Sequence, residues 1–171
     1  DDGVDLGCIS SDLRLLSVPS SALFCPCCGH LQKRIDADFH KKVLNIYNDG
    51  YHLPGGQIDV RGNTVTSRGE IVATSLRDGL RLPGQGALLD FGCGHGFFLR
   101  DFHAVLPDWE LFGYDITTDK LDELHAIEGV RRIFTDGIDA VDQRFDLITL
   151  NHVLEHLVEP VAILRALRGL L

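Results

Sequence analysis

Apolar and polar positions change rhythm along this chain. From Gly86 onward the apolar residues gather in short runs separated by glycine, proline and charge. Ala87-Leu88-Leu89-Asp90-Phe91 is apolar almost throughout and is closed by glycines, which predicts a short buried strand. Phe97 to Leu106 carries apolar residues at helical spacing, and Pro107 marks its end. Glu110 to Tyr114 reads as a second strand. Thr118 to about Ile127 reads as a helix capped by Thr117 or Thr118. Arg131 to Phe134 gives a third strand and Phe145 to Leu150 a fourth. A turn and a helix from about Val158 or Pro160 to Leu170 follow. This alternation predicts a parallel sheet with helices on its faces. Four strands are few for such a sheet and leave an open edge. The chain stops inside or just past a helix, so we expect later strands to be missing from this piece.

Ahead of Gly86 the rhythm is irregular. Residues 1 to about 40 hold four of the five cysteines, and residues 41–82 read as a connector able to act as a lid. The regular core is taken as residues 83–171. Composition adds limits: 171 residues with 44% apolar side chains can bury a real core. A net charge of -9 gives no general attraction for nucleic acid or anionic membranes. No apolar run approaches the roughly 18 residues of a membrane span. The start, Asp1-Asp2-Gly3, lacks the features of a signal peptide, and the chain contains no methionine, as in a processed or excised piece. An odd cysteine count argues for reduced thiols and a cytoplasmic protein.

The chemistry concentrates after the first regular strand. Asp90-Phe91-Gly92-Cys93-Gly94-His95-Gly96 leaves a strand and opens a helix. Glycines there permit a tight turn and let backbone amides approach a ligand. Nineteen residues after Gly96, at the end of the second strand, stands Asp115, placed to accept hydrogen bonds from both ribose hydroxyls of an adenosine cofactor. That placement alone does not choose the cofactor, because nicotinamide enzymes share it. The glycine spacing is more selective. A dinucleotide fingerprint is Gly-x-Gly-x-x-Gly, whereas Gly92, Gly94 and Gly96 alternate, with Asp90 just ahead. A diphosphate near Asp90 would meet added negative charge.

This run resembles motif I of class I S-adenosylmethionine-dependent methyltransferases. Gly113-Tyr114-Asp115-Ile116 resembles motif II, and Phe145-Asp146-Leu147-Ile148-Thr149-Leu150-Asn151 resembles motif IV. His152-Val153-Leu154-Glu155-His156-Leu157, followed by Glu159-Pro160, is similar to a segment of small-molecule and sugar methyltransferases. The resemblance covers about residues 86–171. It implies an α/β, Rossmann-like parallel sheet with flanking helices, and S-adenosylmethionine as cofactor. It places the glycine loop (Phe91, Gly92, Cys93, Gly94, Gly96) and Asp90 at the methionine moiety. Asp115 then belongs on the ribose and Ile116 on the adenine face. Asp136 and Gly137 fall at the adenine edge, and Asn151 joins the cofactor shell.

Cys25-Pro26-Cys27-Cys28-Gly29-His30 contains a Cys-x-x-Cys pair closed by glycine, half of a zinc knuckle. Cys8 is a third candidate ligand. The fourth stays open among Cys27, His30, Asp12 and a residue before the start. Plain buried thiols and a redox pair are the alternatives. Some sugar C-methyltransferases carry a cysteine-rich zinc module ahead of the core, and this arrangement is similar; it implies a structural, zinc-ribbon-like module.

Methyl transfer needs alignment and, for some acceptors, a base. His152, Glu155 and His156 lie just past the fourth strand and are the candidates, with Tyr51 and His52 as a second polar cluster before the core. A structural or cofactor-shell role is the alternative for the first three, and a turn-rich linker for the other two. The expected activity is methyl transfer to a small-molecule acceptor such as a sugar nucleotide or metabolite. Its rivals are a Rossmann-type oxidoreductase and a zinc-containing binding module with a non-catalytic core.

Overall fold

The computed structural model describes residues 8–9, 15–16, 22–33, 57–61, 63–117 and 119–171. The chain divides into two compact units, residues 1–53 and 54–171. In the first, β1 (Cys8–Ile9) pairs with β2 (Leu15–Leu16), and β3 (Ala22–Phe24) with β4 (Leu31–Lys33), both antiparallel. The turn between β3 and β4 is closed by Cys25 N–H donating to the His30 carbonyl at 2.8 Å.

The second unit begins with an antiparallel hairpin of β5 (Ile58–Arg61) and β6 (Thr64–Ser67), which runs into α1 (Arg68–Leu80). Ser67 caps α1 by accepting the Glu70 N–H at 2.9 Å, satisfying an amide the helix cannot. Residues 68–80 lie in the stretch read as a connector, yet α1 joins the core, with Ala73 fully buried and Val72 and Leu76 packed beside it. Two helix-interior glycines and a scatter of polar residues obscure that stripe in the sequence.

β7 (Ala87–Phe91), α2 (Phe97–Val105), β8 (Glu110–Tyr114), α3 (Leu121–His125), β9 (Val130–Phe134), β10 (Leu147–Thr149) and α4 (Pro160–Arg168) follow. The strands form one parallel sheet in the order β10-β7-β8-β9. Neighbouring residues of β7 face opposite sides. Leu88 joins Leu99, Phe102, Trp109 and Leu111, whereas Leu89 joins Phe112, Phe134, Phe145 and Leu167. Both sides are covered, which is why β7 reads as an unbroken apolar run. Burying each large side chain contributes about 1.5–3 kcal/mol. Trp109 satisfies its indole N–H on the Pro83 carbonyl at 2.9 Å.

Three elements differ from the sequence reading by more than one residue. α3 is shorter than the 118–127 expected, because the Thr117 hydroxyl donates to Asp115 instead of capping a helix. β10 has three residues rather than six, since Phe145 N–H turns to the Leu170 carbonyl and the chain bends at His152. α4 stops at Arg168, two residues early. Among the described residues no helix is long and apolar enough to cross a membrane.

Candidate cofactor site

The carboxyl ends of β7, β8 and β10 lie side by side, and the loops leaving them carry most of the candidate residues. After β7 the backbone enters the left-handed region at Gly92, Gly94 and Gly96, with φ of +79°, +50° and +70°. Gly92 also has the Val153 side chain against it, where a Cβ would collide. Gly94 faces open space, leaving its backbone accessible to a ligand. The loop is pinned to β8 by the Gly92 and Cys93 amides, which donate to the Tyr114 carbonyl at 2.7 and 3.0 Å. Phe91 and Tyr114 stack beneath it, 4.4 Å apart.

Two carboxylates flank this loop. Asp90 is 2% exposed. Its Oδ1 accepts from Thr149 Oγ1 at 2.7 Å and from Asn151 Nδ2 at 3.3 Å. Burial pushes its carboxyl up to about 6; those two donors oppose the rise and the nearby Asp115 adds to it. Asp115 is only partly buried. Its Oδ2 accepts from Gly94 N–H at 2.8 Å, and its Oδ1 from Thr117 N–H at 3.0 Å and Thr117 Oγ1 at 2.8 Å. It therefore ties the glycine loop to the end of β8.

Next to Asp115, Ile116 is 61% exposed, an apolar surface beside a polar clamp. Asp136, in the loop after β9, lies close enough to push the Tyr114 phenol up, after burial and Asp115. Gly137 follows it and opens a short turn at Ile138–Ala140. Cys93 is buried with its sulfur against Gly113. Burial, then Asp90 and Asp115, raise its thiol well above the ordinary range, so it is a packed neutral group and not a nucleophile.

Past β10, His152 has φ +55°, a strained value for a side chain with a Cβ. Its Nδ1 lies 3.6 Å from Glu155 Oε1. His156 closes the same short turn, with its N–H on the Val153 carbonyl at 2.9 Å. Tyr51, His52 and Asp12 lie outside the described residues.

In the first unit, the Cys25 thiol is drawn below its usual value, first by N–H donation from Cys28 and then from Cys27, with their thiols adding. Among the described residues no three His, Cys, Asp or Glu side chains gather as a metal site. Cys8 stands in β1, and its side chain lies outside the described residues. Cys25, Cys27, Cys28 and His30 lie in the one turn between β3 and β4.

Sequence reasoning passed over Thr149 as a site residue and read Thr117 only as a cap. The alternation of Thr149 and Asn151 is visible in the sequence, but that they face Asp90 is set by the register between β10 and β7.

A parallel sheet with a glycine loop at its carboxyl edge and an acid at the end of the next strand is a Rossmann-like fold. Comparison with known proteins agrees. Residues 89–171 match the model of a methyltransferase domain family, just under half of the chain. The plantazolicin methyltransferase BpumL, solved with a triazolic desmethylPZN analog and SAH, superposes with a TM-score of 0.50 at 18% identity, over 60% of this chain and 41% of that one. Coclaurine N-methyltransferase, bound to N-methylheliamine and SAH, superposes with a TM-score of 0.56 at 12% identity, over 80% and 49%. The chain thus spans less than half the length of either. No curated protein matches it in sequence.

Proposed function

We propose that this chain is the cofactor-binding part of an S-adenosylmethionine-dependent methyltransferase acting on a small-molecule acceptor. The observation that carries the reading is the pair of aspartates on either side of the open Gly94 backbone. S-adenosylmethionine supplies an activated methyl group on a sulfonium centre when bound. Asp115 accepts the ribose hydroxyls, the exposed Ile116 covers an adenine face, and Asp136 and Gly137 meet its edge. The glycine loop and Asp90, with Asn151, hold the methionine end. Two carboxylates at one loop oppose a diphosphate, which disfavours a dinucleotide in the same place.

His152 acts as the base in this reading. Glu155 lies beside it, with Oε1 3.6 Å from Nδ1. His156 stands one residue further on. A small metabolite or sugar nucleotide suits the acidic chain better than nucleic acid. The names of the two solved structures support the same reading, one a plantazolicin methyltransferase and the other a coclaurine N-methyltransferase.

Calorimetric titration with S-adenosylhomocysteine beside NAD tests the reading. Binding of the first alone is expected, and binding of NAD alone would overturn it.

The thiol turn supports a second, structural element: a zinc ion held by Cys25 and Cys28 with Cys8 and either Cys27 or His30, in a module over residues 1–40. Reduced thiols suit a cytoplasmic setting. Metal analysis is expected to find one zinc per chain, and none with the thiols intact would remove this element.

A further inference from the structure

Among the described residues only two polar side chains are buried, and they touch. Asp90 is 2% exposed and Thr149 is 8% exposed. They sit directly opposite each other across the β7–β10 ladder, and the hydroxyl reaches the carboxylate at 2.7 Å. Asn151, two residues on and just past the end of β10, reaches the same oxygen at 3.3 Å. Both bonds end on Oδ1. Among the described residues no lysine, arginine or histidine forms an ion pair with Asp90. Neutral donors favour the ionised form of a buried carboxyl without matching its charge, which leaves the group open to a positive charge brought by something else.

We propose that Thr149 is a positioning residue of the site: with Asn151 it holds the Asp90 carboxylate ionised and aimed, ready for the positively charged amino group at the methionine end of the cofactor. This rests on the cofactor reading above and adds the device that makes Asp90 usable. The titratable groups that reach Asp90 are Asp115 from the end of β8 and Cys93 from the glycine loop. Asp115 raises the carboxyl, and Cys93 stays neutral. On the other side, β10 and the residues just past it supply only the two neutral donors. Cofactor affinity should therefore climb as pH rises through the titration of Asp90, since the ligand's amino group keeps its charge throughout that range.

The test follows two signals in the full chain: the Asp90 carboxyl carbon by NMR, and S-adenosylhomocysteine affinity by calorimetry, each across pH. In the unaltered chain the two midpoints should coincide. Thr149→Val removes a donor to the charged form and should move both midpoints upward by about one to two pH units. Thr149→Ser should restore them. Asn151→Ala, at a partly exposed position with a longer bond, should move them by about half as much and keeps the test available should the valine variant not fold. Unmoved midpoints in Thr149→Val and Asn151→Ala, with S-adenosylhomocysteine still bound, would overturn the role of Thr149 and leave the cofactor reading standing. A carboxyl midpoint that moves in chains that bind no S-adenosylhomocysteine would support the hold on Asp90 and overturn the cofactor reading instead.

Discussion

The ends of β7 and β8 carry one aspartate each, and the two are held in opposite ways. Asp90 is buried, and its partners are side chains, Thr149 and Asn151, from a segment about sixty residues away in sequence. Asp115 is partly exposed and is held locally, by the Gly94 amide and by both the amide and hydroxyl of Thr117. The first arrangement costs folding energy, because a carboxylate out of water is disfavoured unless a charge answers it. The second costs little, because water still reaches the group. A substitution at β7 should therefore register in stability and in pH dependence, and one at β8 in ligand affinity.

The largest effect belongs to Asp90→Asn. The folded-state value of Asp90, about 6, lies above that of an aspartate in an unfolded chain. Protonation of Asp90 therefore favours the fold relative to the ionised form fully below about pH 4, and that contribution is lost as pH rises through about 6. Asparagine cannot ionise. The variant should gain stability over the parent between those limits, reaching about 3 kcal/mol in urea unfolding at pH 7. A constant difference from pH 4 to pH 7 would show that Asp90 is not the exposed-to-buried outlier described.

Asp115→Ala comes next. The fold should hold, and S-adenosylhomocysteine affinity should fall by about 1–3 kcal/mol in calorimetry, from the unpaired ribose hydroxyls. Unchanged affinity would place the ribose elsewhere. The smallest effect is at Thr117→Val, which removes one donor to Asp115 and should weaken binding by about 0.5–1.5 kcal/mol, with Thr117→Ser close to the parent. If Thr117→Val proved worse than Asp115→Ala, Thr117 rather than the carboxylate would be the group that meets the ligand.

The contrast also explains what the sequence disclosed. β7 and β8 are found at the expected residues, Ala87–Phe91 and Glu110–Tyr114, because a strand covered on both faces has to be apolar throughout. The glycine loop and Asp115 were legible because they are local: a run of seven residues and a carboxylate at a strand end. Thr149 was not, since its meaning lies in the register between β7 and β10, and register is a property of the assembled sheet. α1 was missed for a different reason. Its buried face is a narrow line through Val72, Ala73 and Leu76, and Gly69 is needed where the helix presses on Asp101. His103 shows the same limit. It packs on Gly129 with Nδ1 lacking a partner among the described residues, a contact that no spacing rule announces.

Val153 rests on Gly92 so closely that a Cβ there would have no room. A replacement at Gly92 would therefore be felt in two places at once, in its own loop and in the turn beyond β10, where the His152 backbone already lies in the left-handed region.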